Sequence, residues 1–421
     1  MNVYFSGIGG VGIGPLAEIA RDAGHTITGS DSDKGLVTEE LRQQGVVVNI
    51  GQDGSYLKAV HEATPLDWFV YTSALPETHP ELVLAKELGI RTGKRDEFLA
   101  DFIEKHNLKL IAIAGTHGKT TTTGMAVWAF LQRGIPVSYS IGTTVSFGPS
   151  GKYDPDSEYF IYECDEYDRN FLHFNPDISL LTSVDYDHPD TYPTENSYFD
   201  AFNQFIGQSK LVICWNKDIN LDGLKKYGML HLIDQDKRDV SFIKLAGLHN
   251  RQNAYLVFSL LVDHLGATGD EEAVVKSLEA FPGTDRRFEK LADNIYSDYG
   301  HHPEEIAATL QMAHELSDDI VLVYQPHQNW RQHSIRDQYT TQFELARKIY
   351  WTPTYLTREN PDYAILAPEE LTQNITNKDS IVYSDLNDTL WDEVITARDN
   401  GSLILFMGAG TIDSWVRDKL N

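Results

Sequence analysis

Short apolar segments alternate with helical patterns along the whole chain, and this alternation limits the possible folds. The clearest case is residues 109–114, Lys-Leu-Ile-Ala-Ile-Ala, which precede a glycine-rich turn and a helical pattern to about residue 132. Apolar segments of this length, separated by helices, are typical of buried parallel strands joined by crossover helices. We therefore predict an α/β fold.

The length of the chain predicts about three domains, because a domain usually has about 150 residues and this chain has 421. We expect a Rossmann-like N-terminal domain at residues 1–104, a central P-loop ATPase-like domain at 105–285 and a C-terminal Rossmann-like α/β domain at 286–421. The sequence Phe-Pro-Gly-Thr at 281–284 predicts a linker between the second and third domains.

The charge and composition exclude several classes of protein. With 35 basic and 62 acidic residues, the net charge of −27 argues against binding to nucleic acid or to anionic lipid. Two cysteines are too few for a disulfide framework, and no apolar run approaches the roughly 20 residues of a membrane span. The first basic residue is Arg21, so no basic segment precedes an apolar leader. We expect a cytoplasmic protein without membrane insertion.

The turn after residues 109–114 has the composition of a phosphate-binding loop. It reads Gly115-Thr116-His117-Gly118-Lys119-Thr120-Thr121. In such loops, glycines let backbone N–H groups face the phosphates, a lysine contacts the β- and γ-phosphates, and a hydroxyl binds Mg²⁺. The spacing is shorter than in the common P-loop, so an ordinary glycine turn with a solvated lysine is the alternative.

A second glycine-rich turn follows the first predicted strand, residues 2–6. Its pattern, Gly7-x-Gly9-x-x-Gly12, predicts either a dinucleotide-binding turn or a tight structural turn. Ser30 and Asp31 end the next predicted strand, and Ser73 follows another, so all three belong to the same edge of the sheet.

Acids and histidines follow other predicted strands. Glu163-Cys-Asp-Glu-Tyr-Asp168 and Asp185-Tyr-Asp-His188 each close a strand of the segment that carries the phosphate loop, and carboxylates placed there predict a Mg²⁺ site. For His188 a structural role is the alternative. Two further clusters, at residues 298–303 and 325–331, predict a substrate pocket, with ordinary surface loops as the alternative.

The order of these motifs resembles that of the Mur ligase family, the ATP-dependent amide-forming enzymes of peptidoglycan synthesis. The matching segments run from Ser6 to Gly410 and include GIGGVGIG, AGTHGKTTTT, ECDEYD, DYDHPDTY, GLHNRQNA, GTDRRFE, SDYGHHPEE and QPHQNWR. The resemblance is strongest to the branch that joins L-alanine to UDP-N-acetylmuramate. It implies that this chain catalyses that reaction with ATP and Mg²⁺, through an acyl phosphate.

The resemblance also implies roles for individual residues. Lys119, His188 and Arg287 are the implied catalytic residues, and Thr120, Glu163 and His188 the implied Mg²⁺ ligands. The implied ATP-binding residues are Gly115, Thr116, His117, Gly118, Lys119, Thr120, Thr121, Asn250, Asn253, Arg287 and Asp298. The implied contacts to the donor sugar nucleotide are Gly7, Gly9, Gly10, Gly12, Ser30, Asp31 and Ser73, and those to the acceptor L-alanine are Tyr299, His301 and Arg331.

The sequence departs from the family pattern at two positions. Gln52 stands where a histidine usually follows Ile-Gly, and Gln328 stands where an arginine usually follows Pro-His. No lysine occurs between His188 and Lys210, which fits the L-alanine branch, because several relatives have a carbamylated lysine there. The departures leave the donor and acceptor contacts less defined than the reaction.

Three other functions compete with this interpretation. A recycling ligase would add a preformed tripeptide to the same sugar nucleotide. A non-catalytic nucleotide-binding partner would have no need of Lys119, Glu163 and His188, and all three are present. A nicotinamide oxidoreductase would use the first glycine turn for its dinucleotide.

Overall fold

The computed structural model describes residues 1–10, 12–72, 75–189, 191–218, 229–357 and 359–420. Their strands form three sheets, which follow one another along the chain. The chain folds into two compact units, Met1–Ile243 with Asn253–Pro282, and Lys244–Gln252 with Gly283–Asn421. The first unit contains two of the sheets and the second contains the third. The domain boundaries near residues 104 and 285 stay predictions.

The N-terminal sheet has five parallel strands in the order β3-β2-β1-β4-β5. The strands are β1 (Asn2–Ser6), β2 (Thr26–Asp31), β3 (Val47–Ile50), β4 (Trp68–Tyr71) and β5 (Arg91–Lys94). The helices are α1 (Gly14–Asp22), α2 (Leu36–Gln43), α3 (Ser55–Ala63), α4 (Pro80–Glu87) and α5 (Arg95–Lys105). Because the strands are parallel, the turn after β1 and the start of α5 lie at the same edge of the sheet.

The central sheet has seven strands in the order β12-β11-β10-β6-β9-β7-β8. The strands are β6 (Lys109–Ala114), β7 (Val137–Ser140), β8 (Gly151–Lys152), β9 (Tyr159–Glu163), β10 (Ile178–Leu181), β11 (Leu211–Trp215) and β12 (Met229–Ile233). In the rest of the first unit, the helices are α6 (Lys119–Gln132), α7 (Glu195–Gln208) and α9 (Glu271–Glu279). Helix α8 (Leu248–Ser259) belongs partly to each unit. Helix α8 ends at Ser259, and Leu260–His264 continues the chain as a π-helical turn.

Contacts between the first two sheets explain why they form one unit. The carboxylate of Glu18 in α1 accepts a hydrogen bond from the backbone N of Gly151 in β8, at 2.9 Å. A Cβ on Gly151 would lie 2.6 Å from backbone atoms of Pro15, so this approach requires glycine. The hydroxyl of Tyr162 in β9 donates to the buried Asp96 of α5 at 2.6 Å. One hydrophobic cluster contains apolar residues from both sheets, and burying such side chains stabilises the unit.

The C-terminal sheet has the order β13-β14-β18-β15-β16-β17. The strands are β13 (Glu289–Ala292), β14 (Ile295–Asp298), β15 (Ile320–Tyr324), β16 (Lys348–Trp351), β17 (Ile381–Tyr383) and β18 (Leu403–Met407). The helices are α10 (Pro303–His314), α11 (Asn329–Ile335), α12 (Pro368–Leu371), α13 (Asp388–Asp399) and α14 (Ile412–Leu420). All residues of β15 and β18 are buried, as expected for central strands covered on both faces.

The expectation of purely parallel sheets was wrong at two edges. β7 pairs with β8 and β13 pairs with β14 in antiparallel fashion. The second pair is a hairpin with a two-residue connection, in which Asn294 has a φ of 55°. Asparagine tolerates a positive φ better than most residues. None of the helices in the described part of the chain is long and apolar enough to cross a membrane.

Candidate active site

The phosphate loop joins β6 to α6 at the carboxyl edge of the central sheet. Gly115 and Gly118 have φ values of 137° and 83°, which glycine adopts without strain. A Cβ on Gly118 would lie 2.9 Å from Nδ2 of Asn253, so the loop packs closely against α8. Thr121 follows in the first turn of α6.

Lys119 is surrounded by oxygen atoms. Its Nζ donates to the backbone oxygens of Gly115 and Thr116 at 2.6 and 3.2 Å, and lies 2.8 and 3.0 Å from the two carboxylate oxygens of Glu166. Burial by itself lowers the pKa of Lys119, but the negative charges of Glu166 and Asp165 outweigh burial and raise it. The lysine is therefore held as a cation.

Thr120 and Glu163 form the second contact of the loop. The Thr120 hydroxyl donates to Oε1 of Glu163 at 2.8 Å, while the backbone N of Gly142 donates to Oε2 at 3.0 Å. The resemblance implied that Thr120 and Glu163 share a metal ion, and the structure brings their oxygens together.

His188 lies beside Glu166, in the segment that follows strand β10. Its Nε2 is 3.5 Å from Oε1 of Glu166 and 3.8 Å from Oδ2 of Asp187. Burial by itself raises the pKa of Glu166, but Lys119 and His188 outweigh it and hold the pKa below its usual range. His188 has a φ of 57°, a left-handed conformation that is costly outside glycine and that recurs at functional sites.

The first two side chains of the loop fix its shape. The Thr116 hydroxyl contacts the Tyr198 hydroxyl and the backbone of Asp185, all at 2.8 Å. The backbone N of His117 donates to Ser183 at 2.9 Å, and its ring lies 3.8 Å from the Asp185 carboxylate. These contacts attach the phosphate loop to the segment that carries His188.

Most backbone amides of the glycine turn after β1 already donate hydrogen bonds to neighbouring residues. The backbone N of Gly7 donates to Ser30 O at 2.8 Å, that of Gly10 to Gly7 O at 3.0 Å, and that of Gly9 to Oδ2 of Asp31 at 2.8 Å. Within the described residues, the amide of Gly12 has no hydrogen-bond acceptor. Ser73 lies outside the described residues.

The buried carboxylate of Glu81 lies next to this turn. Glu81 accepts hydrogen bonds from the hydroxyls of Ser6, Ser30 and Tyr4 at 2.7, 2.7 and 2.6 Å. Gln52, one of the two departures from the family pattern, donates to Ser6 and Ser30 at 3.1 and 3.3 Å. The predicted contact of Ser30 with the donor sugar nucleotide stays a prediction, since the Ser30 hydroxyl donates its proton to Glu81.

In the second unit, Asp298 anchors its own loop. Its carboxylate accepts hydrogen bonds from the backbone N atoms of Phe288 and Gly300, both at 2.7 Å, and from the Thr309 hydroxyl at 3.3 Å. Burial raises the pKa of Asp298, against the opposing charge of Arg287. The Arg287 Cζ lies 5.1 Å from the centroid of the Tyr299 ring, within cation–π range.

His301 and Arg331 come together from the loops after β14 and β15. Nη1 of Arg331 lies 2.6 Å from Nε2 of His301, and Nδ1 of His301 is 3.4 Å from Glu305. Arg331 is only 6% exposed. Gln328, the second departure, has a φ of 58°, and its side-chain amide is 3.5 Å from Thr357 O.

Asn250 and Asn253, two of the implied ATP-binding residues, lie about one turn apart in α8. Asn250 Nδ2 donates to Ala246 O at 3.1 Å, in the second unit. Asn253 lies against Gly118 in the first unit. Their contacts with ATP stay predictions.

Three residues of these sites were not predicted from the sequence. Glu166 was inside a motif assigned to Mg²⁺, but only Glu163 was singled out. Glu81 and Arg95 carried no recognised motif. Arg95 donates to Asp96 at 3.0 Å and lies 3.5 Å from Asp165, so it connects the N-terminal sheet to the acidic loop after β9. In the sequence, Glu81 could have been recognised only as an acidic residue within an apolar stretch of α4.

Comparison with known proteins matches three family descriptions along the chain. Residues 2–107 match the Mur ligase family catalytic domain, 113–227 the Mur ligase middle domain, and 286–410 the Mur ligase glutamate ligase domain. Similar curated proteins include the UDP-N-acetylmuramate–L-alanine ligases of Clostridium tetani and Lacticaseibacillus casei, both 31% identical to this chain. The alignments cover 97% and 98% of this chain and 96% of each relative. The chain belongs to the Mur ligase family. This membership replaces the dinucleotide-binding interpretation of the first glycine turn.

Solved Mur ligase structures share the fold. The UDP-N-acetylmuramate–alanine ligase of Thermotoga maritima aligns with a TM-score of 0.76 at 23% identity, covering 100% of this chain and 98% of that one. The murein peptide ligase of Psychrobacter arcticus aligns with a TM-score of 0.66 at 24% identity, with the same coverage. The predicted α/β fold with three sheet-containing parts is thereby confirmed.

Proposed function

We propose that this Mur ligase joins the carboxylate of UDP-N-acetylmuramate to the amine of L-alanine and converts ATP to ADP and phosphate. The observation that carries the proposal is the phosphate loop after β6, in which Lys119 contacts Glu166 and Thr120 contacts Glu163. The names of its curated relatives support L-alanine as the acceptor.

The chemistry requires activation of the carboxylate. Direct attack of an amine on a carboxylate would have to expel oxide, which is a poor leaving group. Transfer of the γ-phosphoryl group to a carboxylate oxygen gives an acyl phosphate, and the amine then expels phosphate through a tetrahedral intermediate. Stabilising the charge that moves off ATP is therefore the main task of the site.

Lys119 is the residue assigned to that charge. Its ammonium contacts Glu166 and two backbone oxygens, and in the proposed reaction phosphate oxygens would replace some of these contacts. Because its pKa is raised, Lys119 enters this exchange fully charged. Arg287 is the second cation that we assign to the transferring phosphoryl group.

The donor set of the loop fits Mg²⁺ bound together with a nucleotide. Mg²⁺ prefers oxygen ligands and commonly takes one or two from protein and others from phosphates and water. Thr120 and Glu163 offer a hydroxyl and a carboxylate oxygen 2.8 Å apart, and Glu166 with His188 offers a second partial set. No group of three or more acidic, histidine or cysteine side chains in the described residues forms a complete metal site. Bound Mg²⁺ would neutralise phosphate charge during the transfer.

Arg331 is the residue that we assign to the α-carboxylate of L-alanine. It is a buried cation beside His301, in the loop where the family usually has one more arginine. The glycine turn after β1 is assigned to the diphosphate of the donor. Because the reaction consumes ATP, we place it in the cytoplasm.

Phosphate release tests the proposal directly. The assay contains enzyme, ATP, Mg²⁺ and UDP-N-acetylmuramate, with either L-alanine, other amino acids or the tripeptide L-alanyl-γ-D-glutamyl-meso-diaminopimelate as acceptor. We expect release that depends on both the donor and L-alanine. Release with the tripeptide but not with L-alanine would assign the chain to the recycling branch instead. Omitting each component in turn is the control for background ATP hydrolysis.

A further inference from the structure

Arg95 is a partly buried cation that the reaction described above does not use. It is the first residue of α5 and directly follows β5, at the edge of the N-terminal sheet that carries the glycine turn. Its side chain is 20% exposed, which is low for an arginine near the surface. Burying a guanidinium is costly unless it is paired, so the groups around Arg95 determine what else it can bind.

The guanidinium lies against the glycine turn at Gly12. A Cβ on Gly12 would overlap Nη1 of Arg95, so a side chain at this position would displace the guanidinium. The backbone N of Gly12 donates to no acceptor within the described residues, whereas the amides of Gly7, Gly9 and Gly10 are all used. One charged donor group and one backbone donor therefore lie together at this turn.

The other contacts of Arg95 fix the guanidinium in this orientation. Nε donates to Asp96 at 3.0 Å, and Asp96 is 2% exposed and accepts the Tyr162 hydroxyl at 2.6 Å. Nη2 is 3.5 Å from Asp165, the longest of these contacts. Nη1 is thus left at the glycine turn, and the contact with Asp165 is the one that a phosphate oxygen could most easily replace.

We propose that Arg95, with the backbone N of Gly12, binds the diphosphate of the nucleotide-sugar donor. The inference rests on the proposed function, which places the donor at this turn. Arginine suits the role because its planar fork matches two phosphate oxygens. In a protein with a net charge of −27, a local cation also favours the binding of a dianionic group.

Comparison of UDP with uridine isolates the diphosphate contact. Calorimetric titration of both ligands would be performed on the wild type, Arg95→Ala, Arg95→Lys and, as a matched control, Arg91→Ala. Arg91 lies in the neighbouring strand, β5, but its side chain is 53% exposed and contacts Asp101 and Trp68. We expect Arg95→Ala to weaken UDP at least about ten-fold and to leave uridine unchanged, with Arg95→Lys intermediate and Arg91→Ala like the wild type.

Two results would overturn the inference and leave the proposed function standing. In the first, Arg95→Ala binds UDP as tightly as the wild type. In the second, UDP and uridine are weakened by the same factor, because Arg95 then only shapes the turn. A wild type that binds neither ligand would contradict the proposed donor site itself. If Arg95→Ala does not fold, as judged by thermal unfolding, Gly12→Ala provides the same test, since it keeps the arginine but displaces its guanidinium.

Discussion

At the scale of single residues, Lys119 is the cation that contacts Glu166 and the backbone oxygens of its own phosphate loop. We predict that Lys119→Ala lowers the rate of donor-dependent phosphate release by about a thousand-fold or more, because it removes a charge that acts on the transferring phosphoryl group. Lys109→Ala is the matched control, since Lys109 begins β6 but is 53% exposed and pairs with Glu158. Near-normal turnover of the Lys119 variant would mean that the loop does not bind the reacting phosphates.

Arg331 allows a prediction specific to the acceptor. We expect Arg331→Ala to raise the KM for L-alanine at least about ten-fold, which corresponds to about 1.4 kcal/mol, with little change in the KM for ATP. Arg347→Ala serves as the control in the same unit, because Arg347 is 55% exposed and pairs with Asp319. Steady-state kinetics with each substrate varied in turn give both constants. An unchanged KM for L-alanine would place the acceptor pocket elsewhere.

At the scale of elements, Glu315 links the end of α10 to the start of α8 within the second unit. It forms a two-point ion pair with Arg251, at 2.8 Å for each contact, and accepts the backbone N of Gly247 at 2.9 Å. The hydrogen bond from Arg251 is the main cause that lowers the pKa of Glu315 from 4.5 to about 2. A lowered pKa stabilises the folded state above the unfolded-state pKa, and this contribution is lost as the pH falls toward the folded-state pKa.

We therefore predict that Glu315→Gln lowers the free energy of unfolding at pH 7 by about 1–2 kcal/mol, allowing for solvent screening. The difference from the wild type should narrow below about pH 4.5 and nearly vanish at about pH 2. Urea unfolding at several pH values measures it, and Glu272→Gln, in an exposed pair with Lys276, should show little difference at any pH. A difference that stays constant across this acidic range would mean that the charge of Glu315 is not the cause.

The same elements show how far the sequence predicts the structure. The sequence locates β6 to the residue, because a strand covered on both faces is a continuous apolar run between polar turns. Helices α7 and α13 were not predicted, since asparagine, serine, threonine and aspartate within them are weak helix formers whose helical state depends on packing. The motif residues of the phosphate loop were predictable because their local spacing carries the chemistry.

The partners of those motifs were not predictable, because tertiary packing brings them together. Glu166 meets Lys119 across 47 residues, Asp165 meets Arg95 across 70, and Glu81 meets Ser30 across 51. No local pattern reports such pairings. Gln52 illustrates the same limit. In the sequence it is only a departure from the family pattern, whereas in the structure it donates to two serines that bind Glu81.

At the scale of the whole molecule, the proposed reaction fixes the order of chemical events. If the donor carboxylate attacks the γ-phosphorus and the amine then attacks the acyl carbon, one carboxylate oxygen must leave with the phosphate. The amide product keeps the other oxygen. The fate of these two oxygens therefore distinguishes an acyl phosphate from any route in which ATP hydrolysis and amide formation are separate.

The most direct measurement uses UDP-N-acetylmuramate with ¹⁸O in both carboxylate oxygens, together with ATP, Mg²⁺ and L-alanine. Mass spectrometry of the released phosphate gives its isotope content, and the amount of amide product is measured in the same samples. We predict one ¹⁸O atom in each phosphate released and one molecule of L-alanyl amide for each phosphate. Amide formation with unlabelled phosphate, or labelled phosphate without any incorporation of L-alanine, would contradict the proposed reaction.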